Sequence, residues 1–315
     1  MIIRERPSGL GLFLVLRGSV LHRIWPTLAA NILLASLVTY SHGDLYTLKI
    51  TMTAIPFTMI GLPLAIFLGF RNSAAYDRYW EARKLWGTLV LRSRNLARQC
   101  QSLITLPNAA PAHASLGLDD VRVRMTLRAI AYAYALRDLL RGSERSADYR
   151  PYLRADEFDA LAGTGNRPDR LMMAMGHDLR TCLEQRLIEP CLATAVDDTL
   201  SAMVGAAASC ERIKGTPIPY SYTLLLHRTA YMYCFLLPFG LVDSVGFMTP
   251  VVVGIVAYTF FGLDSLGDEL EEPFGTTPND LALDAMCRGI EINLREALGD
   301  SDLPPPLQPV DYCLT

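Results

Sequence analysis

The chain carries seven cysteines, Cys100, Cys182, Cys191, Cys210, Cys234, Cys287 and Cys313, yet it has no CxxC pair. An odd number at long spacings speaks against a zinc ribbon and against a disulfide framework. The polar parts are therefore expected in a reducing compartment. There is no HExxH sequence, and the histidines, His22, His42, His113, His177 and His227, are scattered. No glycine-rich phosphate loop occurs. With no nucleophile–base set legible either, the chain reads as a non-enzyme. Charge is scarce: 19% of residues are Asp, Glu, Lys or Arg, with a net charge of -3. Acids balance bases, so there is no basic excess to suggest a nucleic-acid partner. No internal repeat and no run of strands is visible.

Hydrocarbon is plentiful. Hydrophobic residues make up 51% of the chain, and they gather in four uncharged windows: Ile24–Tyr40, Thr51–Phe70, Thr229–Val242 and Ser244–Leu263. A spanning helix needs about 20 apolar residues. The second and fourth windows meet that length, the first lies at the lower limit, and the third reaches it by extending back through Leu224–Leu226 past Arg228. The windows form two pairs, joined by short linkers at His42–Ile50 and around Phe239–Pro250. Arg4, Arg6, Arg17 and Arg23 precede the first window, and Arg71, Arg78, Arg83 and Lys84 follow the second. The linker between them holds only Asp44 and Lys49. This asymmetry predicts both termini in the cytoplasm.

The opening MIIRERPSGLGLFLVLRGSVLHRIW reads as a retained segment, with Gly9, Gly11, Phe13 and Trp25 suited to the inner membrane surface. Arg71 to Tyr220 reads as helical and cytoplasmic. A helix is expected over Thr126–Gly142, ending at Gly142, and Pro107 to Pro111 breaks the helix before it. Another helix starts at Ala155. Gly163–Asp169 reads as a loop, and Asp169–Pro190 as a helix with Leu171, Met175, Leu179 and Leu183 on one stripe. The Pro-rich LPPPLQPV suits an extended end, either disordered or strapped along a neighbour. The expected domains are 1–80 (N-terminal segment and first transmembrane pair), 81–220 (helical cytoplasmic domain), 221–266 (second pair) and 267–315 (C-terminal segment).

The segment PLAIFLGFRNSAAYDRYWEARKLWG, Pro63–Gly87, passes from hydrocarbon into charge at Phe70-Arg71 with no turn signal. Leu62, Ile66 and Phe70 share one helix face. On spacing alone that face suits core or lipid. Gly61 and Gly69 suit close helix packing.

Three stretches carry a family pattern: IGLPLAIFLGFRNSAAYDRYWEARKLWG (Ile60–Gly87), ERIKGTPIPYSYTLLLHR (Glu211–Arg228) and DELEEPFGTTPNDLALDAM (Asp268–Met286). In these the chain resembles the bacterial bestrophin-like membrane proteins, relatives of the animal bestrophin channels, over nearly its whole length. The resemblance implies an all-α, four-span membrane protein with a helical cytoplasmic domain. It further implies a homopentameric ion channel of the bacterial inner membrane, its partners being identical subunits, lipids and permeant monovalent ions. Leu62, Ile66 and Phe70 match the hydrophobic pore neck, with Arg71 and Asn72 meeting the vestibule below it. A cytoplasmic constriction is expected near Leu179, Arg180 or Leu183. Asp268, Glu269, Glu271 and Glu272 match a calcium clasp of animal members, which suggests a divalent cation, calcium or zinc. Pro273 inside ELEEPFG departs from that pattern, and helix N-terminal carboxylates or intersubunit salt bridges suit the same residues. Animal members pass anions, and bacterial relatives include cation channels. The carboxylates Asp264, Asp268 and Glu269 tilt the expectation to monovalent cations, with an anion channel or a nonconducting scaffold or sensor as alternatives.

Overall fold

The structure, a computed structural model, describes residues 1–4, 9, 15, 18–41, 44–45, 48–49, 53–107 and 111–315. Gly11, Phe13, His42, Gly43 and Ile50 of the expected segments lie outside these. Among the described residues the helices are α1 (Leu21–Tyr40), α2 (Ala54–Leu103), α3 (Val121–Arg141), α4 (Ala155–Asp159), α5 (Arg167–Glu184), α6 (Pro190–Gly215), α7 (Tyr220–Val245), α8 (Thr249–Glu271) and α9 (Leu283–Ala297). The exception to an all-α fold is a two-residue antiparallel ladder, β1 (Asp44–Leu45) with β2 (Leu48–Lys49), in the linker after α1.

The chain divides into two compact units. The first comprises Arg4–Trp80 and Pro217–Pro273; the second comprises Met1–Ile3, Glu81–Thr216 and Phe274–Thr315. The first unit holds the four spans, α1, the N-terminal part of α2, α7 and α8. Leu21–Tyr40, Ala54–Leu103 and Tyr220–Glu271 are each long and apolar enough to cross a membrane. Helix α6 meets the same criterion, but it carries Asp197 and Asp198 and packs against α5 and α3 in the second unit. The turn between α7 and α8 is tighter than the sequence indicates. Helix α7 runs on through Asp243, and a 3-10 turn at Gly246–Met248 reverses the chain, with Gly246 at φ 57° where a side chain would be strained.

In the four-span unit α1 lies along α8 and α7. One buried cluster joins Ile24, Cys234, Ala257 and Phe261, and a second joins Ala35, Phe57, Leu237 and Val253. Helix α2 adds a third by setting Leu64 and Leu68 against Leu226 and Ala230 of α7. Three of the helices carry a proline beyond the first turn: Pro26, Pro63 and Pro238. Proline has no N–H for the carbonyl four residues back. For Pro238 that carbonyl belongs to Cys234, and Asn31 of α1 supplies the missing donor, its Nδ2 lying 2.9 Å from the Cys234 oxygen with both residues fully buried. A gap in one helix is filled by a side chain of another, as the absence of water in lipid requires.

Glycine packing is uneven. A Cβ on Gly61 would meet the Tyr233 hydroxyl at 2.9 Å, whereas one on Gly69 would meet nothing within 4 Å. Gly61 is thus a packing site and Gly69 is not. The tightest position among the spans is Gly240, where a Cβ would lie 2.3 Å from the Phe57 ring. Gly240→Ala is expected to lower the thermal midpoint in detergent by an overpacking cost of about 1–3 kcal/mol, with Gly69→Ala close to wild type. Equal midpoints for the two variants would contradict this packing.

The second unit is built around α3, whose residues from Val121 to Leu140 are nearly all buried. Helices α5 and α9 flank it, and α6 joins through α5. Asp120 caps its start and Gly142, at φ 64°, its end. Because α3 is enclosed all round, the arginines interleaved in it are buried ions and need partners. Arg128 pairs with Asp178 at 2.6 Å and with Glu157; Arg137 pairs with Asp138, Asp148 and Asp284. The expected loop after Gly163 is shorter than read, since Asn166 caps α5 from Arg167 through Asp169 N–H. Helix α5 also ends early, at Glu184, and α6 begins afresh at Pro190. The Pro-rich tail is ordered. Ile3 N–H donates to the Tyr312 carbonyl at 2.9 Å, Leu314 N–H to Met1 and Ala285 N–H to Thr315, so the tail is strapped to its own unit.

Burial raises the Asp178 carboxyl, but hydrogen bonds from Arg124 and Arg128 more than offset it, leaving the group below the usual carboxylate value. Asp284 behaves alike: burial raises it, and Arg141, Arg137 and Arg145 bring it below the ordinary range. Depressed carboxyls stabilise the fold above the unfolded value near pH 4, and that contribution is lost as pH falls through the folded value. The stability gap between wild type and Asp284→Asn is therefore expected to be full at neutral pH and to close on acidification below about pH 4. Thermal unfolding followed against pH checks it.

Candidate channel-lining helix and its charged junction

Helix α2 has two unlike faces. Phe57, Leu64, Leu68, Arg71 and Ala75 recur at steps of three, four and seven and are buried. On the other side Leu62, Ile66 and Phe70 are 67%, 48% and 63% exposed, and Ile55 and Met59 continue that apolar surface toward the helix start. All three expected neck residues thus lie on the outer surface of the four-span unit, apart from its core.

The charge that follows Phe70 is not on that surface. Arg71 lies on the buried stripe and is 0% exposed. Its Nη1 donates to Asp264 Oδ1 at 2.9 Å and to the Asp264 carbonyl at 3.0 Å. Its Nη2 pairs with Asp268 and stands 3.9 Å from Glu271. His227 of α7 closes the group, with Nδ1 on Asp264 and Nε2 3.6 Å from Asp268, and Arg23 of α1 approaches Asp268 at 3.9 Å. Asn72 turns inward too and donates to the Leu263 carbonyl at 3.1 Å. Gly267 permits this approach, because a Cβ there would lie 2.5 Å from Asn72 Oδ1. The expectation that Arg71 and Asn72 meet the vestibule is corrected: both bind α8. The junction draws on all four spans, α1, α2, α7 and α8.

The carboxylates once set aside for a metal are engaged here. Asp268 and Glu271 face Arg71, and Glu271 also accepts from Ile218 N–H at 2.9 Å. Arg78 Nε donates to the Glu271 carbonyl. Glu269 has a partner of its own, and exposed Glu272 caps the helix end. Among the described residues no three His, Cys, Asp or Glu side chains converge as metal ligands would. The group lies at the C-terminal end of α8, not at a helix start. Carboxylates there oppose the helix dipole, and the Arg71 guanidinium compensates. The sequence carried a signal for this: Asp264 and Asp268 lie one turn apart, and Arg71 continues the Leu64–Leu68 stripe.

In α5, Leu179 is buried with Leu171 and Met175, whereas Arg180 and Leu183 lie on the outer side. Arg180 pairs with Glu184 one turn on, at 2.8 Å. Of the three constriction candidates, only Arg180 and Leu183 have surface to offer. All the cysteines among the described residues are free thiols; burial pushes Cys182 up to about 11 and raises Cys287, so both are poor nucleophiles.

The family model described as Bacterial/Fungal Bestrophin protein matches residues 1–296. A voltage-dependent anion channel-forming protein of Mesorhizobium japonicum is 43% identical, over 99% of this chain and 96% of its own length. The voltage-dependent anion channel-forming protein YneE of Escherichia coli is 38% identical, over 98% of each. A crystal structure of a bacterial bestrophin homologue from Klebsiella pneumoniae superposes with a TM-score of 0.81 at 35% identity, covering 88% of this chain and 99% of that one. Four apolar spans, a long second helix with an apolar outer stripe and this degree of likeness lead to one conclusion: the chain belongs to the bacterial/fungal bestrophin family.

Proposed function

We propose that this chain is the subunit of an anion channel: a homopentamer of the bacterial inner membrane, both termini cytoplasmic, with five α2 helices around the axis. The observation that carries this reading is the exposed stripe of Leu62, Ile66 and Phe70. The interior of the four-span unit is filled by apolar clusters, so a path for ions belongs between copies, where that stripe is available. A ring of Leu, Ile and Phe offers water no hydrogen-bond partners and closes by dewetting or small rotations. Arg180 and Leu183 are the candidates for the second constriction. The subunit number comes from the family resemblance.

The cation expectation is withdrawn. Both relatives are named for anions, and two of the carboxylates that favoured cations, Asp264 and Asp268, are engaged by Arg71 inside the four-span unit. Purified protein in planar bilayers under asymmetric potassium chloride is expected to give currents that reverse near the chloride equilibrium potential. Reversal near the potassium potential would reject the sign. Native mass spectrometry in detergent should give a pentamer, and a dimer that still conducts would end the axial model.

A further inference from the structure

The second unit contains a cavity of about 350 Å³ between α3, α9, the 3-10 turns after α3 and Leu307 of the tail. That volume lies within the range of about 300–1,000 Å³ typical of small-molecule sites. Its charged lining is Arg137, Arg145, Arg288, Asp148, Asp284 and Glu291. Half of these groups are occupied. Glu291 accepts from the Tyr134 and Tyr152 hydroxyls at 2.6 and 2.7 Å and stands 3.4 Å from Arg295. Asp284 accepts from Arg137, Arg141 and Arg145 at 2.8, 2.7 and 3.1 Å. Arg137 gives its other donors to Asp138 and Asp148.

Three groups keep unused capacity. Arg288 stands beside Tyr134 and Glu291; its Nε is 3.3 Å from Glu291 Oε2 but off hydrogen-bond geometry, and the side chain is partly exposed. Arg145 gives Asp284 its one side-chain hydrogen bond. Asp148 accepts from Arg137 through Oδ2 and leaves Oδ1 idle. A guanidinium held beside a carboxylate without a well-aligned hydrogen bond keeps donor capacity that a ligand oxyanion takes up.

We propose that this cavity binds a small organic anion, with its carboxylate or phosphate on Arg288 and Arg145 and a hydroxyl or amino donor on Asp148. The spare donors of the two guanidiniums outnumber the one idle carboxylate oxygen, so the ligand presents more acceptors than donors. Arg288 is the specificity-determining residue.

Isothermal titration of the full-length protein in detergent, in physiological chloride, tests this with two probes, sodium malate and glycerol phosphate. Saturation by malate identifies a carboxylate ligand, saturation by glycerol phosphate identifies a phosphate ester, and either supports the site. Arg288→Gln is then expected to weaken binding by about tenfold or more. Leu307→Trp leaves the arginines in place and fills the cavity mouth, so it should abolish binding even if Arg288→Gln folds poorly. Neither probe saturating in the wild type, or Leu307→Trp binding as the wild type does, would overturn the site. Because the readout is binding and not current, the result is independent of channel activity.

Discussion

Arg71→Met is expected to destabilise the protein by about 3–5 kcal/mol, because it strips a buried carboxylate of its counter-charge. Asp264 is almost fully buried, and its remaining partner is His227. Arg71 and Asp264 cannot reach bulk water without separating α2 from α8. Arg71→Lys should recover only part of the loss, since one ammonium cannot replace a guanidinium that bonds Asp264 through one nitrogen and Asp268 through the other. Pairing Arg71→Met with Asp264→Asn should restore much of the midpoint, a coupling that a double-mutant cycle reads directly. Fluorescence-detected thermal unfolding in detergent provides the measurement. A single Arg71→Met variant with the wild-type midpoint would mean that the ion cluster does not hold the spans together.

Replacing Leu62, Ile66 and Phe70 together by alanine should raise unitary conductance or open probability severalfold. The reasoning is volumetric and dielectric. Each substitution removes branched or aromatic bulk from the exposed stripe, and a wider ring holds water that a narrow apolar ring expels. Stability should change little, because these side chains are exposed in the single chain while the buried stripe of Phe57, Leu64 and Leu68 is untouched. This separates the neck from a packing role. The opposite pattern, unchanged currents with a large fall in midpoint, would place the stripe at a subunit contact and remove it from the pore.

The spans were legible because lipid is intolerant of stray charge, so uncharged windows mark them. Their ends were not, since a charge matched by a partner does not stop a helix. Helix α7 begins at Tyr220 and carries His227 and Arg228 within it, although the uncharged window begins only at Thr229. The ion cluster was hidden for the same reason. Arg71 and Asp264 are 193 residues apart, and hydrophobic periodicity reports which face is apolar without reporting which charges will find each other. The extended form of the tail was legible in its three prolines, but what holds it was not, because the bonds come from the backbone of Ile3, Leu314 and Ala285. The outer stripe of α2 was visible in the four-residue spacing, but the spacing could not distinguish an inner face from an outer one.

The hydrogen bond from Asn31 to the Cys234 carbonyl spans 203 residues, which gives it a meaning in time. At about 5–20 residues per second of synthesis, α1 enters the bilayer roughly 10–40 s before its acceptor is made. Throughout that interval the Asn31 amide lacks the acceptor it has in the finished fold, and an interhelical hydrogen bond of about 1 kcal/mol is still to be made. The nascent first span is therefore incomplete until the third arrives. Its completion rewards a single axial alignment of α1 against α7, so the proline that interrupts one helix also supplies the registration mark for the other.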